Sequence, residues 1–379
     1  MLLYSHAHKN MMKRTGVASL PLHPGKAPRW LFGRMVKLAG AISEVMIEEY
    51  GRKRFLQTIS DPFWFQAFSC VLGFDWHSSG TTTVTCGALK EALAQKSEIR
   101  VAGGKGRVSN KALEEIEKIG EDMGLRESTV NSLKYASRMA AKVDNAALQD
   151  GYSLYHHVII ISEDGDWAVI QQGMNADYRY ARRYHWLSDA LNNFIEEPHS
   201  AILGRKERAM DMTSKKSEEA RELSVDIVKD NPRNLIRDWE RLKKPLCQTT
   251  LDGWNKNIPY LDMPRRINWN VIKGIYEFQP KNYEEMLSIK GVGPATVRAL
   301  AYISELIYGA PPSWEDPIKY SFAVGGKDGV PYPVDRKAMD EVTMIIKQGI
   351  EEAKLGKDEK LKAIRRMKKI LPDEIASHA

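Results

Sequence analysis

The sequence predicts an α+β fold, in which a mixed N-terminal domain with a β-hairpin or small sheet precedes an all-α domain. In Tyr155–Asn175, a β-branched run, a polar turn and a returning apolar run are typical of a hairpin. After position 205, apolar residues recur at helical spacing. A charged segment, "LGRKERAMDMTSKKSEEARELS", separates these regions, so we expect domains at residues 1–204 and 205–379. A chain of 379 residues is long enough for both to have a core.

The composition is typical of a soluble globular protein, with 43% hydrophobic and 28% charged residues. A net charge of +7 and a pI near 9.0 favour phosphates and polyanions as partners. Charges interrupt the apolar runs before they reach membrane-spanning length, and the N-terminus lacks the apolar core of a signal peptide. We therefore expect a cytoplasmic protein with no membrane partner. The three cysteines form no CxxC pair, which fits a reducing compartment.

Elements before the hairpin are predicted to be mostly helical. Val36–Ile59 has the pattern of an amphipathic helix and Asp61–Phe74 that of a largely buried one. Asp75–Gln95 begins as a loop rich in Ser and Thr that leads into a helix. Val101–Ser109 is rich in glycine but lacks the GxxxxGK[ST] phosphate-binding pattern, so we expect a flexible basic loop. The next predicted helices are Asn110–Leu125 and Glu127–Leu148.

Histidines and acidic residues around the hairpin suggest a metal site. Asp75 and His77 could join His156, Glu163 and Asp166 in space. Such side chains bind a divalent metal, Mg²⁺ or Mn²⁺, that activates water. On this interpretation His156, Glu163 and Asp166 are catalytic, while Asp75, His77, His156 and Asp166 hold the metal. The alternative is a solvated turn at Glu163–Asp166, with histidines that cap the strand ends.

Paired arginines beside aromatic residues follow the hairpin. Arg182 and Arg183 precede Tyr184, His185 and Trp186. Arginine contacts phosphate, and aromatic rings stack on bases, so the sequence predicts a contact with nucleic acid here. The alternative is that these aromatic side chains pack in a core.

The segment "SIKGVGPATVRAL" places two glycines around a valine at the start of a helix. Gly291 and Gly293 allow a sharp turn and a close approach to a partner. Pro294 suits the first helical turn, and the free N–H groups of a helix N-terminus favour an anion. With short helices on both sides, the segment resembles the helix-hairpin-helix of many DNA repair and processing proteins.

This resemblance implies how the turn would contact DNA. The backbone amides of Gly291, Val292 and Gly293 would hold a phosphate oxygen, often with a metal ion, while Lys290 and Arg298 add charge. The all-α domain is then a helix-hairpin-helix DNA-binding domain. The alternative is a tight corner between two helices that uses the same glycines for packing.

The resemblance extends to base-excision glycosylases of the helix-hairpin-helix superfamily through "YPVDRKAMDEV". In those enzymes an essential aspartate follows a valine at the start of the helix after the hairpin, which implies that Asp335 is catalytic. A carboxylate there stabilises an oxocarbenium-like sugar or activates a nucleophile as a flipped-out base departs. Asp335 could instead cap the helix. Ala295 replaces the lysine of the lyase-type enzymes, and three cysteines are too few for a four-cysteine iron–sulfur cluster.

Residues 12–379 as a whole resemble the archaeal and bacterial family known as domain of unknown function 763. The resemblance is carried by "DWHSSGTTTVTCGALKEAL", "YHHVIIISEDGDWAVIQQGMN" and "ARRYHWL". A final predicted helix adds a basic surface that includes Lys368 and Lys369. This resemblance implies no particular activity, so the chemistry of the residues indicates the function.

The sequence is compatible with three functions. The first is a DNA-binding enzyme of DNA repair or processing that removes a base as a glycosylase does, with Asp335 as its catalytic residue. The second is a metal-dependent DNA nuclease whose site lies in the N-terminal domain, with the helix-hairpin-helix as an anchor. The third is a DNA- or RNA-binding protein without enzymatic activity. All three share nucleic acid, with DNA favoured, as the partner.

Overall fold

The computed structural model describes residues 20–22, 27–74, 78–243, 264, 266–318, 344, 346–353 and 355–368. The helices are α1 (Arg29–Ser60), α2 (Pro62–Leu72), α3 (Ser79–Ala92), α4 (Ala112–Asp122), α5 (Glu127–Lys142), α6 (Glu218–Lys229), α7 (Pro232–Lys243), α8 (Trp269–Phe278), α9 (Tyr283–Ser288) and α10 (Pro294–Leu306). They are followed by a helical segment at 346–352 and a last helix, Lys357–Lys368. The strands are β1 (Ile99–Lys105), β2 (Leu148–Gln149), β3 (Ser153–Ser162), β4 (Trp167–Asn175), β5 (Tyr180–Leu187), β6 (Ala201–Leu203) and β7 (Met210–Asp211). The predicted α+β fold class is confirmed.

The centre of the fold is a five-stranded antiparallel sheet in the order β1-β3-β4-β5-β6. The predicted hairpin is confirmed as β3 and β4, with His157 directly opposite Gln171. A separate two-stranded pair joins β2 to β7. Among the described residues after position 205, β7 is the only strand and the other elements are helices. No described helix has an apolar stretch long enough to cross a membrane.

Alternate residues of the central strands face two separate cores. Ile159 and Ile161 of β3 pack in one core with α4, α5 and helices α6–α10, which we call the α5-side core. Val158 and Ile160 pack in the other with α1, α2, α3 and the last helix, which we call the α1-side core. The sheet therefore lies between two layers of helices. The α5-side core contains side chains from both sides of position 205.

The glycine-rich segment Val101–Ser109 is not the flexible loop that the sequence predicted. Its first half belongs to β1, which pairs with β3, and a 3₁₀ turn, Gly106–Lys111, follows. Gly103 has a φ of +94°, and a Cβ atom there would lie 2.2 Å from the carbonyl oxygen of His157. The glycines permit this close approach between strands, but they also remove the apolar pattern by which a strand is predicted.

Local capping explains where α2 and α3 begin. Asp61 accepts a hydrogen bond from the Trp64 amide and caps α2, which is buried along its whole length as predicted. Ser78 caps α3 through the Gly80 amide, so the Ser- and Thr-rich segment after it is helical rather than a loop. Threonines on the buried side of α3 face the sheet, where the Thr82 hydroxyl bonds to Gln172.

Candidate functional site

A cavity of about 510 Å³ lies between α5, the first half of β3 and the turn that joins α9 to α10. We call this turn, residues 289–293, the glycine turn. Side chains of Ser137, Lys142, His157 and Gln171 line the cavity together with Val292 and Gly293. The sheet and the glycine turn thus contribute to one site, although they are far apart in sequence.

The charged lining of this cavity has a single sign. Among the described residues that line it, Arg138 and Lys142 are the basic ones, and none is an aspartate or a glutamate. Arg138 is exposed, with its guanidinium 5.6 Å from the centre of the Tyr135 ring. A cavity with this lining favours an anionic ligand over a cation.

The glycine turn lies between two helices, α9 and α10, as the sequence pattern predicts. Gly291 has a φ of +93°, and a Cβ atom there would lie 2.7 Å from Cγ2 of Val271, so both its backbone and its packing require glycine. Pro294 opens α10 as predicted. The amide of Val292 donates to the Ile289 carbonyl at 3.2 Å. That amide is therefore engaged within the turn, contrary to the expectation that it holds a phosphate.

Lys142, the last residue of α5, binds the carbonyl side of the glycine turn. Its Nζ donates to the carbonyl oxygens of Leu287 at 2.7 Å, Ile289 at 2.6 Å and Val292 at 2.8 Å. Burial, with a smaller contribution from nearby Arg138, lowers the pKa of Lys142 to about 8. The group is mostly protonated at pH 7, and its three N–H donors match the three acceptors.

A chain of hydrogen bonds runs from the cavity into the α5-side core. Ser137 Oγ lies 2.7 Å from His157 Nε2, and His157 Nδ1 lies 2.9 Å from Gln171 Oε1. Gln171 Nε2 in turn donates to Asp144 Oδ2 at 2.5 Å. All four side chains are buried. The strand register produces part of this chain, because His157 and Gln171 are cross-strand partners.

The direction of these bonds fixes the tautomer of His157. The Asp144 carboxylate accepts from the amide nitrogen of Gln171, so the amide oxygen faces the imidazole. His157 Nδ1 is then the donor, and Nε2 accepts the hydroxyl proton of Ser137. Burial lowers the pKa of His157, which keeps the ring neutral at pH 7.

Asp144 ends this chain of bonds at a break in helix geometry. Residues Val143–Ala147 form a π-helical turn directly after α5, a feature that often occurs at functional sites. The fully buried carboxylate also accepts from Trp186 Nε1 at 3.0 Å and bonds to His199 Nε2. Several donors therefore hold the carboxylate in place.

His156 occupies the opposite face of the sheet from His157. It is 1% exposed, and neither of its ring nitrogens has a hydrogen-bond partner among the described residues. Burial lowers its pKa to about 3, with smaller contributions in the same direction from His157 and Lys105. It borders the 510 Å³ cavity and also a second cavity of about 560 Å³ beside α3 and β1. The two adjacent histidines thus have different surroundings.

The structure does not bring the described members of the predicted metal site together. Glu163 and Asp166 lie in the β3–β4 turn, roughly 20 Å along the strand from His156 at about 3.3 Å per residue. Glu163 forms an ion pair with Arg52 at 2.8 Å. Within the described part of the chain, no three His, Cys, Asp or Glu residues form a group that could hold a metal ion. Asp75 and His77 lie outside the described residues.

Arg182 and Arg183 are not positioned to contact nucleic acid, because both are fully buried in β5. Arg182 forms ion pairs with Asp150 at 2.9 Å and with Asp316 at 2.6 Å. The guanidinium of Arg183 lies 4.6 Å from the centre of the Phe65 ring. Their aromatic neighbours Tyr184 and Trp186 are also buried. This segment therefore follows the alternative in which its aromatic side chains pack in a core. Buried arginines need these partners because an unpaired buried charge is costly.

The other residues predicted to contact or act on DNA lie partly inside and partly outside the described part of the chain. Lys290 is exposed on the glycine turn. Arg298 is partly buried, and its Nε donates to Gln149 Oε1 at 2.7 Å, which ties α10 to β2. Lys368 is the final residue of the last helix. Lys369 and Asp335 lie outside the described residues.

Two residues of the cavity, Ser137 and Lys142, were not identified from the sequence. Ser137 lies on the apolar side of α5, among Leu133, Ala136 and Ala140. A polar residue within such a stripe is the signal that could have identified it. No comparable signal exists for Lys142, because a lysine at the end of a helix is ordinary.

These observations describe an α+β protein with an antiparallel sheet between helical layers and a positively charged cavity beside a glycine turn. Residues 16–334 match the family described as protein of unknown function (DUF763), and the chain belongs to that family. No curated protein and no solved structure was found to match the chain.

Proposed function

We propose that this chain is a DNA-binding enzyme of DNA repair or processing that binds the DNA backbone at the glycine turn. One observation carries the proposal: the glycine turn, which ends at the N-cap residue of α10, borders the cavity whose described charged lining is basic. A phosphate placed there meets cations and a helix N-terminus together. Such contacts bind DNA without regard to sequence.

The chemistry of the turn supports a phosphate as the ligand. Gly291 and Gly293 present no side chain, and the free N–H groups that begin α10 favour an anion. The Lys142 ammonium binds two carbonyl oxygens of the turn and that of Leu287 just before it. It so offsets their partial negative charge, which would otherwise repel a phosphate. Exposed Lys290 and Arg138 add long-range attraction.

The chemical step is open to the alternatives that the sequence raises. Glycosylase-like base excision depends on Asp335, and it is our first proposal because a flipped-out base needs a cavity beside the bound backbone. A metal-dependent nuclease is less well supported, since the described candidate ligands are far apart. A binding protein without enzymatic activity is the third alternative.

Binding can be tested by fluorescence anisotropy with labelled duplex and single-stranded DNA over a series of salt concentrations. We expect salt-sensitive binding that Arg138→Glu and Lys290→Glu weaken, each lowering the salt slope by about one. The matched control is Lys273→Glu, an exposed lysine on α8 that pairs with Glu277. If the wild type and the three variants bound DNA with equal affinity, binding at the glycine turn would be contradicted.

The glycosylase step needs a separate assay. Lesion-bearing duplexes are incubated with the protein and then treated with hot alkali, which breaks the backbone at abasic sites. We expect breaks that depend on alkali and disappear in Asp335→Asn. Direct breaks that require Mg²⁺ or Mn²⁺ would favour the nuclease instead.

A further inference from the structure

We propose that Ser137 and His157 form a nucleophile and general-base pair that acts on a phosphodiester of nucleic acid bound in the cavity. The choice of substrate rests on the proposed function, whereas the activated serine follows from the geometry alone. Neither residue belongs to the metal site or the glycosylase site that the sequence predicts.

The hydroxyl of Ser137 has an unusual partner for a serine inside a helix. A buried helical serine usually donates to a backbone carbonyl one turn earlier, as Ser224 does to the Ala220 oxygen at 2.6 Å. Ser137 Oγ instead lies 2.7 Å from His157 Nε2, within reach for proton transfer. Both side chains line the cavity.

Two further residues position the imidazole. Gln171 accepts from His157 Nδ1, and Asp144 fixes the orientation of the Gln171 amide. This leaves Nε2 unprotonated and facing the hydroxyl, which is the tautomer that a general base requires. The arrangement follows the logic of a nucleophile, a base and an orienting group, with an amide in the place that a carboxylate often takes.

The surroundings favour phosphoryl chemistry. A phosphodiester carries one negative charge, which increases at the equatorial oxygens when a nucleophile attacks. Arg138 follows Ser137 directly in α5, and Lys142 lies one turn further along. Both cations line the cavity, and none of the lining residues that the structure describes is a carboxylate that would repel the substrate. The glycine turn would hold an adjacent phosphate at the rim.

Ser137 Oγ attacks phosphorus while its proton moves to His157 Nε2, and a new P–O bond forms to the serine. The bond from phosphorus to one sugar oxygen breaks, and the proton on Nε2 passes to that departing oxygen. The products are a free sugar hydroxyl and a phosphodiester that joins the remaining strand to Ser137. Attack by water or by a sugar hydroxyl then releases the enzyme.

The activated serine is tested with a fluorophosphonate probe, which reacts with activated serines by loss of fluoride and needs no DNA. We expect peptide mass spectrometry to locate the adduct on Ser137 in the full chain. His157→Ala should slow labelling by about 10²–10⁴-fold, the usual contribution of a general base. Ser224→Ala, the matched buried serine, should label at the wild-type rate. Absence of label at Ser137, or equal labelling in His157→Ala, would overturn the proposal.

The substrate is tested on the same preparations with end-labelled oligonucleotides quenched in detergent. A covalent protein–DNA band is expected for the wild type and for Ser137→Cys, and none is expected for Ser137→Ala. Thermal melts confirm that each variant is folded. Anisotropy on these samples separates the two claims. DNA binding without fluorophosphonate label removes the nucleophile and leaves the proposed function, whereas label without DNA binding removes the proposed function and leaves the nucleophile.

Discussion

At the scale of single residues, Lys142 connects the two parts of the candidate site. Its ammonium group binds three carbonyl oxygens around the glycine turn, while its helix also carries Ser137 and Arg138. The geometry of the turn therefore depends on a residue that is distant in sequence. An inorganic cation is not required where the ammonium already binds these carbonyls.

Replacing Lys142 by methionine tests this role. The change keeps the length of the side chain but leaves three carbonyl oxygens without their donor, so we expect a loss of about 1–3 kcal/mol in the free energy of unfolding. DNA affinity should fall as well. Urea denaturation measures the first effect and anisotropy the second. Lys134→Met is the control on the same helix, because Lys134 pairs only near the surface with Glu117. A change within about 0.5 kcal/mol for Lys142→Met would contradict the account.

The pKa of Lys142 predicts how DNA binding depends on pH. Because that pKa is about 8, the group loses its proton, its charge and one N–H donor as the pH rises from about 7 to 9. We expect DNA affinity to fall over this range. A folded-state pKa below the ordinary lysine value means that deprotonation favours the folded protein. Unfolding of this site therefore does not cause the expected fall in DNA affinity. An identical pH profile in Lys142→Met would show that another group is responsible.

At the scale of elements, what the sequence could predict depended on how regular each pattern is. The β3–β4 hairpin and the helices around the glycine turn follow from apolar spacing and turn residues. β1 was missed because its glycines hide the strand pattern, and β5 because Arg182 and Arg183 interrupt it. The π-helical turn that directs Asp144 inward has no signature in the sequence.

A substitution at Gly103 tests the pairing of β1, the strand that the sequence did not predict, with β3. A Cβ atom at this position would collide with the His157 carbonyl oxygen, and the positive φ adds strain, so Gly103→Ala should cost about 3 kcal/mol or more of unfolding free energy. Gly106→Ala is the matched control: it has a φ of +60° with nothing within 4 Å, and should cost about 1 kcal/mol. Thermal or urea unfolding distinguishes them. Equal costs for the two variants would argue against the pairing of β1 with β3.

At the scale of the whole molecule, the structure joins residues that no local pattern connects. Arg182 in the sheet pairs with Asp316, and the α5-side core draws on helices from both sides of position 205. The fold class and the glycine turn could be predicted because each follows from patterns within single segments of the sequence. The cavity could not, since Ser137, His157 and Val292 meet only through tertiary packing.

The pair between Arg182 and Asp316 predicts that these regions unfold together. Asp316→Asn removes a buried partner of the arginine and should cost about 3 kcal/mol. Its neighbour Glu315 forms an exposed pair with Lys216, so Glu315→Gln should change stability by less than about 1 kcal/mol. Tryptophan fluorescence and circular dichroism should give coincident urea transitions in the wild type. Two separate transitions, or a small effect of Asp316→Asn, would indicate independent regions.

The central claim is that the glycine turn and the start of α10 contact the DNA backbone. Hydrogen–deuterium exchange with and without a DNA duplex tests it most directly, because it reports on the backbone amides themselves. We expect the duplex to slow exchange in peptides that cover residues 289–296, and high salt to remove this protection. Protection confined to the last helix, or none at all while the duplex is bound, would contradict the account.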